Sequence, residues 1–389
     1  MPGTGNELGR RQSIPILYTR GTHYEVGFDV GRTFGSLIES FVNSSTALNQ
    51  EYLPAYNTPG GKQAYDATLN NLIQNYPQYI KELEGIADGS KVPFYKLFLL
   101  HIDDVILPTV HKEGSKQPTG CSSIAINLKD QAILGHTEDA LSETLNHFYF
   151  VSAHIISDKP QGRWNVKEEK FTSLCYAGHL PGYTMNYNHH GLVFSINTIS
   201  AKDVQPGKTP RHFLTRAMLG AENFLQVQQI LRDTGVGAAD ACSVNMTFLQ
   251  QEGDRVFHNI EIGPAINSSE TQLSALTISC GEHFYHTNEF QRLKENQANP
   301  LMLLSSKCRS ETFKNHHPPS TFEDVVEMLS DTSHPEQKVF RDQPNDYVKT
   351  IAVGIFDCKK KTWSLYSDNP KHNEPLVVLP LVLKNSKTN

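Results

Sequence analysis

A cysteine stands where two unlike stretches of this sequence meet: Thr119-Gly120-Cys121-Ser122-Ser123-Ile124-Ala125-Ile126, followed by Gly135-His136-Thr137-Glu138-Asp139-Ala140. Ahead of it, Lys112-Glu113-Gly114-Ser115-Lys116-Gln117-Pro118-Thr119-Gly120 is polar and turn-forming, the composition of an exposed, cleavable linker. A Gly-Cys step that opens a strand after such a linker is where an N-to-S acyl shift is sterically easy. Cleavage there creates a terminus carrying both a thiol and an α-amine. With an ordinary pKa of about 7.7 to 8.0, that amine can act as general base without a histidine. The chemistry is that of an amide hydrolase or acyl transferase. Most single cysteines are small buried hydrophobes, so position rather than residue type singles out Cys121.

Histidines offer a rival site. His136, His179, His189-His190 and His283-x-x-His286 could supply a Cys-His pair or metal ligands. Adjacent histidines point to opposite sides of a strand, and no H-E-x-x-H helix or matching carboxylate spacing is present, so no metal site is expected. Tyr183, Tyr187 and His190 are alternatives for lining a pocket that takes an aromatic or imidazole ring.

The elements that must hold these residues change character at Cys121. Before it the pattern is helical. After a strand-like Ile14 to Tyr18, Thr22 can cap a helix containing Glu25 and a glycine at every fourth position, Gly27, Gly31 and Gly35. Each interior glycine costs about 1 kcal/mol relative to alanine, which predicts close contact of that face with another element. Helical spacing continues from Gln63 to Ala87, with Pro77 as a possible break, and from Pro93 to Ile106. After Cys121, short strands are predicted at 123–126, 132–135, 147–156, 171–177, 191–199, 243–249 and 255–262. Helices are predicted over 211–232 and 321–329, and a closing hairpin pairs 350–356 with 363–366. Blocks of strands and helices without strict alternation predict a layered α+β architecture.

Bulk properties narrow the partners. The chain has 389 residues and a net charge of −6, so nothing draws it broadly to nucleic acid or anionic lipid. No apolar run reaches the roughly 18 residues needed to cross a bilayer, and the first fifteen residues lack a signal-peptide core. Six scattered cysteines without a C-x-x-C pair fit a reducing, cytoplasmic setting rather than a disulfide framework. Small uncharged or cationic molecules are the expected partners, with neither nucleic acid nor membrane.

Gly120-Cys121-Ser122, Asp139 eighteen residues on, Val244-Asn245-Met246 and Ser306-Lys307-Cys308-Arg309 together resemble the penicillin acyltransferase-like branch of the N-terminal nucleophile hydrolases. Gly21 to Gly27 and Leu83 to Gly89 extend the likeness over nearly the whole chain. Longer blocks, among them Ile16 to Asp29, Gly135 to Leu141, Leu174 to Met185 and Lys349 to Asp357, are similar to members that hydrolyse β-alanyl conjugates of biogenic amines. The resemblance implies a four-layer αββα sandwich of antiparallel sheets. It also implies a precursor split between Gly120 and Cys121. Residues 1–120 would form a mainly helical α subunit or pro-region and residues 121–389 a β subunit, the fragments staying associated.

Residue by residue, the likeness makes Cys121 the autocatalytic and hydrolytic nucleophile. Asp139 orients its amine, Asn245 donates to the oxyanion, and Arg309 stabilises the site or a polar substrate group. The implied activity is cofactor-free. It converts N-β-alanyl-dopamine and carcinine to dopamine or histamine and β-alanine, for neurotransmitter recycling in vision and for cuticle pigmentation. One departure stands out: where acyltransferases have Asn-Trp-Asp or Asn-Phe-Asp, this chain has Thr137-Glu138-Asp139. Glu138 could therefore pair with a β-alanyl ammonium. The rivals are an acyl-CoA-dependent N-acyltransferase and an uncleaved binding protein. The terminus Ser386-Lys387-Thr388-Asn389 is not a peroxisomal signal, which weakens the comparison with fungal relatives.

Overall fold

Glycines decide how the first helical layer forms. In the computed structural model, which describes residues 9–110, 120–157, 159–251, 253–344 and 346–384, strand β1 (Ile16–Gly21) leads into helix α1 (His23–Ser44). Thr22 and Glu25 close a capping box at its start. A Cβ at Gly27 would overlap the carbonyl oxygen of Glu82, and one at Gly31 that of Ile86. Gly85 and Gly89 return the contact from α4 (Pro77–Ser90), where a Cβ would overlap Tyr24 and Phe28 carbonyls. The expected close approach is therefore a two-sided glycine seam. Gly35 stands outside it, since a Cβ there would meet only ordinary contacts at 3.5 Å or more.

Pro77 does break the long helical pattern, separating α3 (Pro59–Asn75) from α4. Two short helices flank this pair, α2 (Leu53–Tyr56) before it and α5 (Phe94–Leu99) after it, and then α6 (Asp103–Ile106) ends the helical third. Most of the linker expected before Cys121, residues 111–119, lies outside the described residues.

From Gly120 onward the strands are β2 (Gly120–Asn127), β3 (Ala132–Leu141), β4 (Phe148–Ile156), β5 (Glu168–Tyr176), β6 (Met185–Asn188) and β7 (Leu192–Ile199). Helices α7 (Arg211–Met218) and α8 (Phe224–Arg232) then precede β8 (Ala241–Phe248), β9 (Phe257–Gly263), β10 (Gln272–Ile278) and β11 (Glu282–His286). The chain closes through α9 (Pro300–Asn315), α10 (Phe322–Leu329), β12 (Val348–Asp357), β13 (Thr362–Tyr366) and β14 (Val377–Pro380). One sheet has the order β1-β4-β5-β6-β7-β8-β9-β10 and the other β11-β2-β3-β12-β13-β14. Neighbouring strands are antiparallel except β1 and β4, which pair parallel with Ile16 opposite Phe150.

Three apolar cores separate four layers. The N-terminal helices with α7 and α8 pack on the eight-stranded sheet. Phe150, Met185, Phe356 and Trp363 fill the space between the sheets, and α9 and α10 cover the six-stranded sheet through Phe313, Val325 and Leu329. This is the αββα sandwich. Because β1 joins β4, residues on both sides of Gly120 share one sheet.

Several elements differ from the sequence reading. The single helix expected over 211–232 is two, interrupted at Leu219-Gly220-Ala221, and α7 is buried along its whole length. Strands β6, β10 and β11 and helix α9 were not anticipated. The strand expected at 132–135 runs on to Leu141, so Glu138 and Asp139 are strand residues. Among the described residues no helix is long and apolar enough to cross a membrane.

Candidate active site

Strand register brings the first groups together. Cys121 pairs with Glu138 and Gly120 with Asp139 across β2 and β3. Side chains alternate along a strand, so Cys121 and Ser123 share the inter-sheet face with Ala125, while Ser122 shares the α9 and α10 face with Ile124. The thiol is buried, and Cys121 Sγ lies 3.7 Å from Glu138 Oε1. Burial pushes the thiol well above its ordinary pKa, with Glu138 and Asp139 adding to the effect; the Asp139 backbone and Arg309 oppose it. Such a thiol needs a proton acceptor at hand to become a nucleophile.

Helix α9 supplies the cation. Asn299 caps it by accepting from the N–H groups of Leu301 and Met302, and Pro300 occupies its first position. Two turns on, the buried Arg309 donates from Nη1 to the Cys121 carbonyl at 2.7 Å and to Ser122 Oγ at 2.9 Å. Its Nη2 donates to Asn288 Oδ1 at 2.7 Å, and that same oxygen accepts the Cys121 backbone N–H at 2.9 Å. Burial and Arg341 bring Arg309 down to about 10, against Asp139 and Cys121. A Cβ at Gly120 would stand 2.7 Å from Arg309 Nη2 and 2.8 Å from Asn288 Oδ1. Any larger residue would have to displace one of this pair.

Asp139 is buried with one oxygen accepting from Thr350 Oγ1 at 2.6 Å and the other, Oδ2, without a hydrogen-bond partner. Burial raises its pKa, opposed by Arg341, Arg309 and Thr350. Glu138 is more fully held: Tyr176 Oη donates to Oε1, and His136 Nε2 lies 3.0 Å from Oε2. Beyond His136 the network runs through Ser123 Oγ, 2.7 Å from His136 Nδ1, to Asn245 and Asn197.

Cys121, Asp139, Arg309 and Glu138 therefore converge, whereas Asn245 is set apart. Its amide Nδ2 donates to Ser123 Oγ at 2.9 Å and Asn197 Oδ1 at 2.6 Å, and its oxygen accepts from Asn259 Nδ2. Its hydrogen bonds reach Cys121 only through Ser123, so donation to an oxyanion would require the amide to leave these partners. The sequence reading missed Asn288, Tyr176 and Thr350, which lie far from Cys121 along the chain and belong to no local pattern. The Asn299-Pro300 start signal could have revealed α9, and with it the orientation of Arg309.

A cavity of about 140 Å³ is lined by Cys121, Glu138 and Asp139. Tyr52, Tyr183, His179 and His212 give it aromatic walls, and Asp103, Asp104 and Arg211 give it charge. His212 stacks on Tyr183 with ring centroids 3.8 Å apart, and its buried Nδ1 has no hydrogen-bond partner. Burial, with His101 and Arg211, holds His212 well below the ordinary histidine value. Of the ring-pocket alternatives, Tyr183 lines this cavity. Tyr187 and His190 line other depressions.

A thiol opening a buried strand, with arginine, asparagine and aspartate gathered around the bond before it, defines a class, and comparison with known proteins gives that class its name. Residues 126–372 match the family described as acyl-coenzyme A:6-aminopenicillanic acid acyl-transferase, and the chain belongs to it. The αββα sandwich is the fold that the resemblance implied. A beta-alanyl-dopamine/carcinine hydrolase of Drosophila melanogaster is 55% identical over 386 residues, covering 98% of this chain and 100% of its own length. A solved mutant of the conjugated bile acid hydrolase from Clostridium perfringens aligns at 12% identity with a TM-score of 0.39, over 69% of this chain and 100% of its own.

Proposed function

We propose that this chain is a self-processed thiol amidohydrolase that removes β-alanine from conjugates such as N-β-alanyl-dopamine and carcinine. The observation that carries the reading is a single cavity where the Cys121 thiol, aromatic walls and an excess of carboxylates meet. The 55% identical Drosophila relative, named for both substrates, supports it.

Cleavage between Gly120 and Cys121 frees the α-amine. Asn288 Oδ1, which already accepts the Cys121 N–H, and the unpartnered Asp139 Oδ2 are its candidate holders. The amine takes the thiol proton as Sγ attacks the amide carbonyl, and passes it to the departing dopamine or histamine. Water, activated by the same amine, then releases β-alanine from the thioester. Arg309 holds the Cys121 carbonyl and so fixes the strand carrying the nucleophile. The neutral His212 offers an acceptor to a catechol hydroxyl, and Tyr183 a stacking face.

The β-alanyl ammonium needs an anionic partner. Glu138 was the sequence-based choice, yet both its oxygens are engaged by Tyr176 and His136. Asp103 and Asp104 share a single guanidinium with Asp240, and this patch is the better partner. In this reading the processed fragments stay together through the β1 and β4 pairing. A cytoplasmic location is supported by six unpaired cysteines, and roles in pigmentation and vision follow from the substrates.

Gel electrophoresis and product analysis test the reading together. Wild-type protein should run as two fragments and release histamine from carcinine, and Cys121→Ala should stay whole and inactive. An intact wild-type chain with no activity would sink the proposal. Acyl transfer from acyl-CoA to a free amine, without carcinine hydrolysis, would replace it with the acyltransferase.

A further inference from the structure

Cys121, His136 and Glu138 form a three-ligand cluster whose donor atoms, one sulfur, one ring nitrogen and one carboxylate oxygen, all lie within 4.8 Å of one another. All three residues are buried, and Cys121 and Glu138 also line the cavity, through which an ion can arrive. His136 Nε2 lies 3.0 Å from Glu138 Oε2, and Cys121 Sγ lies 3.7 Å from the other oxygen of the same carboxylate, Oε1. Tetrahedral zinc, with bonds of about 2.0 to 2.3 Å, sets its ligand atoms roughly 3.3 to 3.6 Å apart. Small movements of side chains already in place would close the site.

The surrounding hydrogen bonds prepare the imidazole. Ser123 has one hydroxyl proton and gives it to Asn197 Oδ1 at 2.9 Å, while accepting from Asn245 Nδ2. Its contact with His136 Nδ1 must then be an accepted one, so Nδ1 carries hydrogen and Nε2 faces Glu138 and the thiol. Fixing the remote nitrogen of a metal-binding histidine in this way is the usual outer-shell device. Tyr176 does the same for the Glu138 carboxylate. Arg309 leaves the sulfur free by directing its donors to the Cys121 carbonyl, Ser122 and Asn288. Thiolate, neutral imidazole and carboxylate balance a divalent ion to zero net charge, which lowers the cost of its burial.

We propose that Cys121 Sγ, His136 Nε2 and a Glu138 oxygen bind zinc, and that the bound ion holds the protein inactive by occupying the nucleophile. The thiol proton and the proton shared between His136 and Glu138 leave to solvent as the three bonds form. Thiolate and imidazole select zinc over magnesium or calcium, which prefer all-oxygen sites. Inhibition rests on the reading of Cys121 as nucleophile, but ion binding does not, so the two are separable.

Chelator-treated, self-processed protein titrated with cobalt(II) provides the test. A thiolate-to-cobalt charge-transfer band should saturate at one ion per chain, disappear in Cys121→Ser and be displaced by zinc. His136→Gln should weaken affinity by more than the about 10- to 100-fold that loss of an outer-shell partner costs, and Ser123→Ala by about that amount. Zinc should raise the unfolding temperature of the wild type and abolish carcinine hydrolysis until a chelator is added. Absence of the band, or unchanged cobalt affinity in both His136→Gln and Ser123→Ala, would overturn the site. Cobalt binding by a protein that never hydrolyses carcinine would uphold the site and remove the hydrolase reading alone.

Discussion

Arg211 and Arg216 lie on the same buried helix, five residues apart, and carboxylates surround both, yet only one of the two clusters is closed. Arg216 meets Glu82 at 2.7 Å and Glu169 at 3.0 Å, and His23 spans the same two acids with its ring nitrogens at 2.9 and 3.3 Å. Two nitrogenous side chains face two carboxylates, and every partner is buried. Arg211 faces three: Asp104 at 2.5 Å, Asp240 at 3.2 Å and Asp103 at 3.3 Å. Two of these acids line the cavity that reaches Cys121, and Asp240 Oδ2 has no hydrogen bond. The closed cluster ties α4, α7 and β5 together; the open one leaves negative charge for a ligand to meet. Arg216 and His23 together answer two carboxylates, whereas a single guanidinium answers three at the cavity.

Removing Arg216 should have the largest effect. Arg216→Met strands two buried carboxylates and should cost about 3 to 5 kcal/mol in urea unfolding, as loss of one partner from a buried ion pair does. A loss near zero would mean that the closed cluster is not structural. At the open cluster the expected change is in binding. Asp104→Asn should raise KM for N-β-alanyl-dopamine by roughly tenfold, the scale of one charge-assisted hydrogen bond, with little effect on neutral N-propionyl-dopamine. Glu138→Gln should lower kcat for both substrates, because Glu138 lies against the thiol. The opposite pattern would return the ammonium to Glu138.

The smallest effect concerns pH. Burial pushes Asp103 up to about 6, with Arg211 opposing and Asp104 reinforcing the shift. A carboxyl is charged above its pKa, so the negative charge that attracts an ammonium grows as pH rises through about 6. KM for the β-alanyl substrate should therefore fall a few-fold across that point and stay flat for the propionyl analogue. The linked stability runs the other way. With an unfolded value of about 3.9, Asp103 binds more proton when folded, so its contribution declines as pH rises from about 4 to 6. Steady-state kinetics with both substrates, from mildly acidic to neutral pH, would separate these trends.

Local signals made much of this legible in the sequence. Thr22 and Glu25 announced a capping box, Pro77 a helix break, and Asp357 to Lys361 a hairpin turn, because each acts within a few residues of itself. Asp139 lies beyond the strand expected at 132–135. Its polarity suggested exposure, and only the pairing of β3 with β2 and β12 puts it on a buried strand. Asn245 falls in the strand expected at 243–249, but which partners its amide meets depends on β7, β9 and β2 meeting around it. The unforeseen α9 fell where hydrophobic periodicity is weak, whereas the helix divides at Gly220 although periodicity is strong on both sides of the break.

The sequence by itself determined the Gly120-Cys121 step, the change from helices to strands at Gly120, and the layered α+β class. Residue type and short-range order carry each of these. Tertiary structure alone decided what surrounds the thiol. Asn288 reaches the Cys121 backbone N–H from 167 positions away and Arg309 its carbonyl from 188, at separations that no local propensity encodes. It also decided which acids are spoken for: Glu138 is enclosed by Tyr176 and His136, while Asp103 and Asp104 face the cavity. Whether a charge is spent on the fold or left for a ligand depends on its neighbours in space, and the folded chain alone brings those neighbours together.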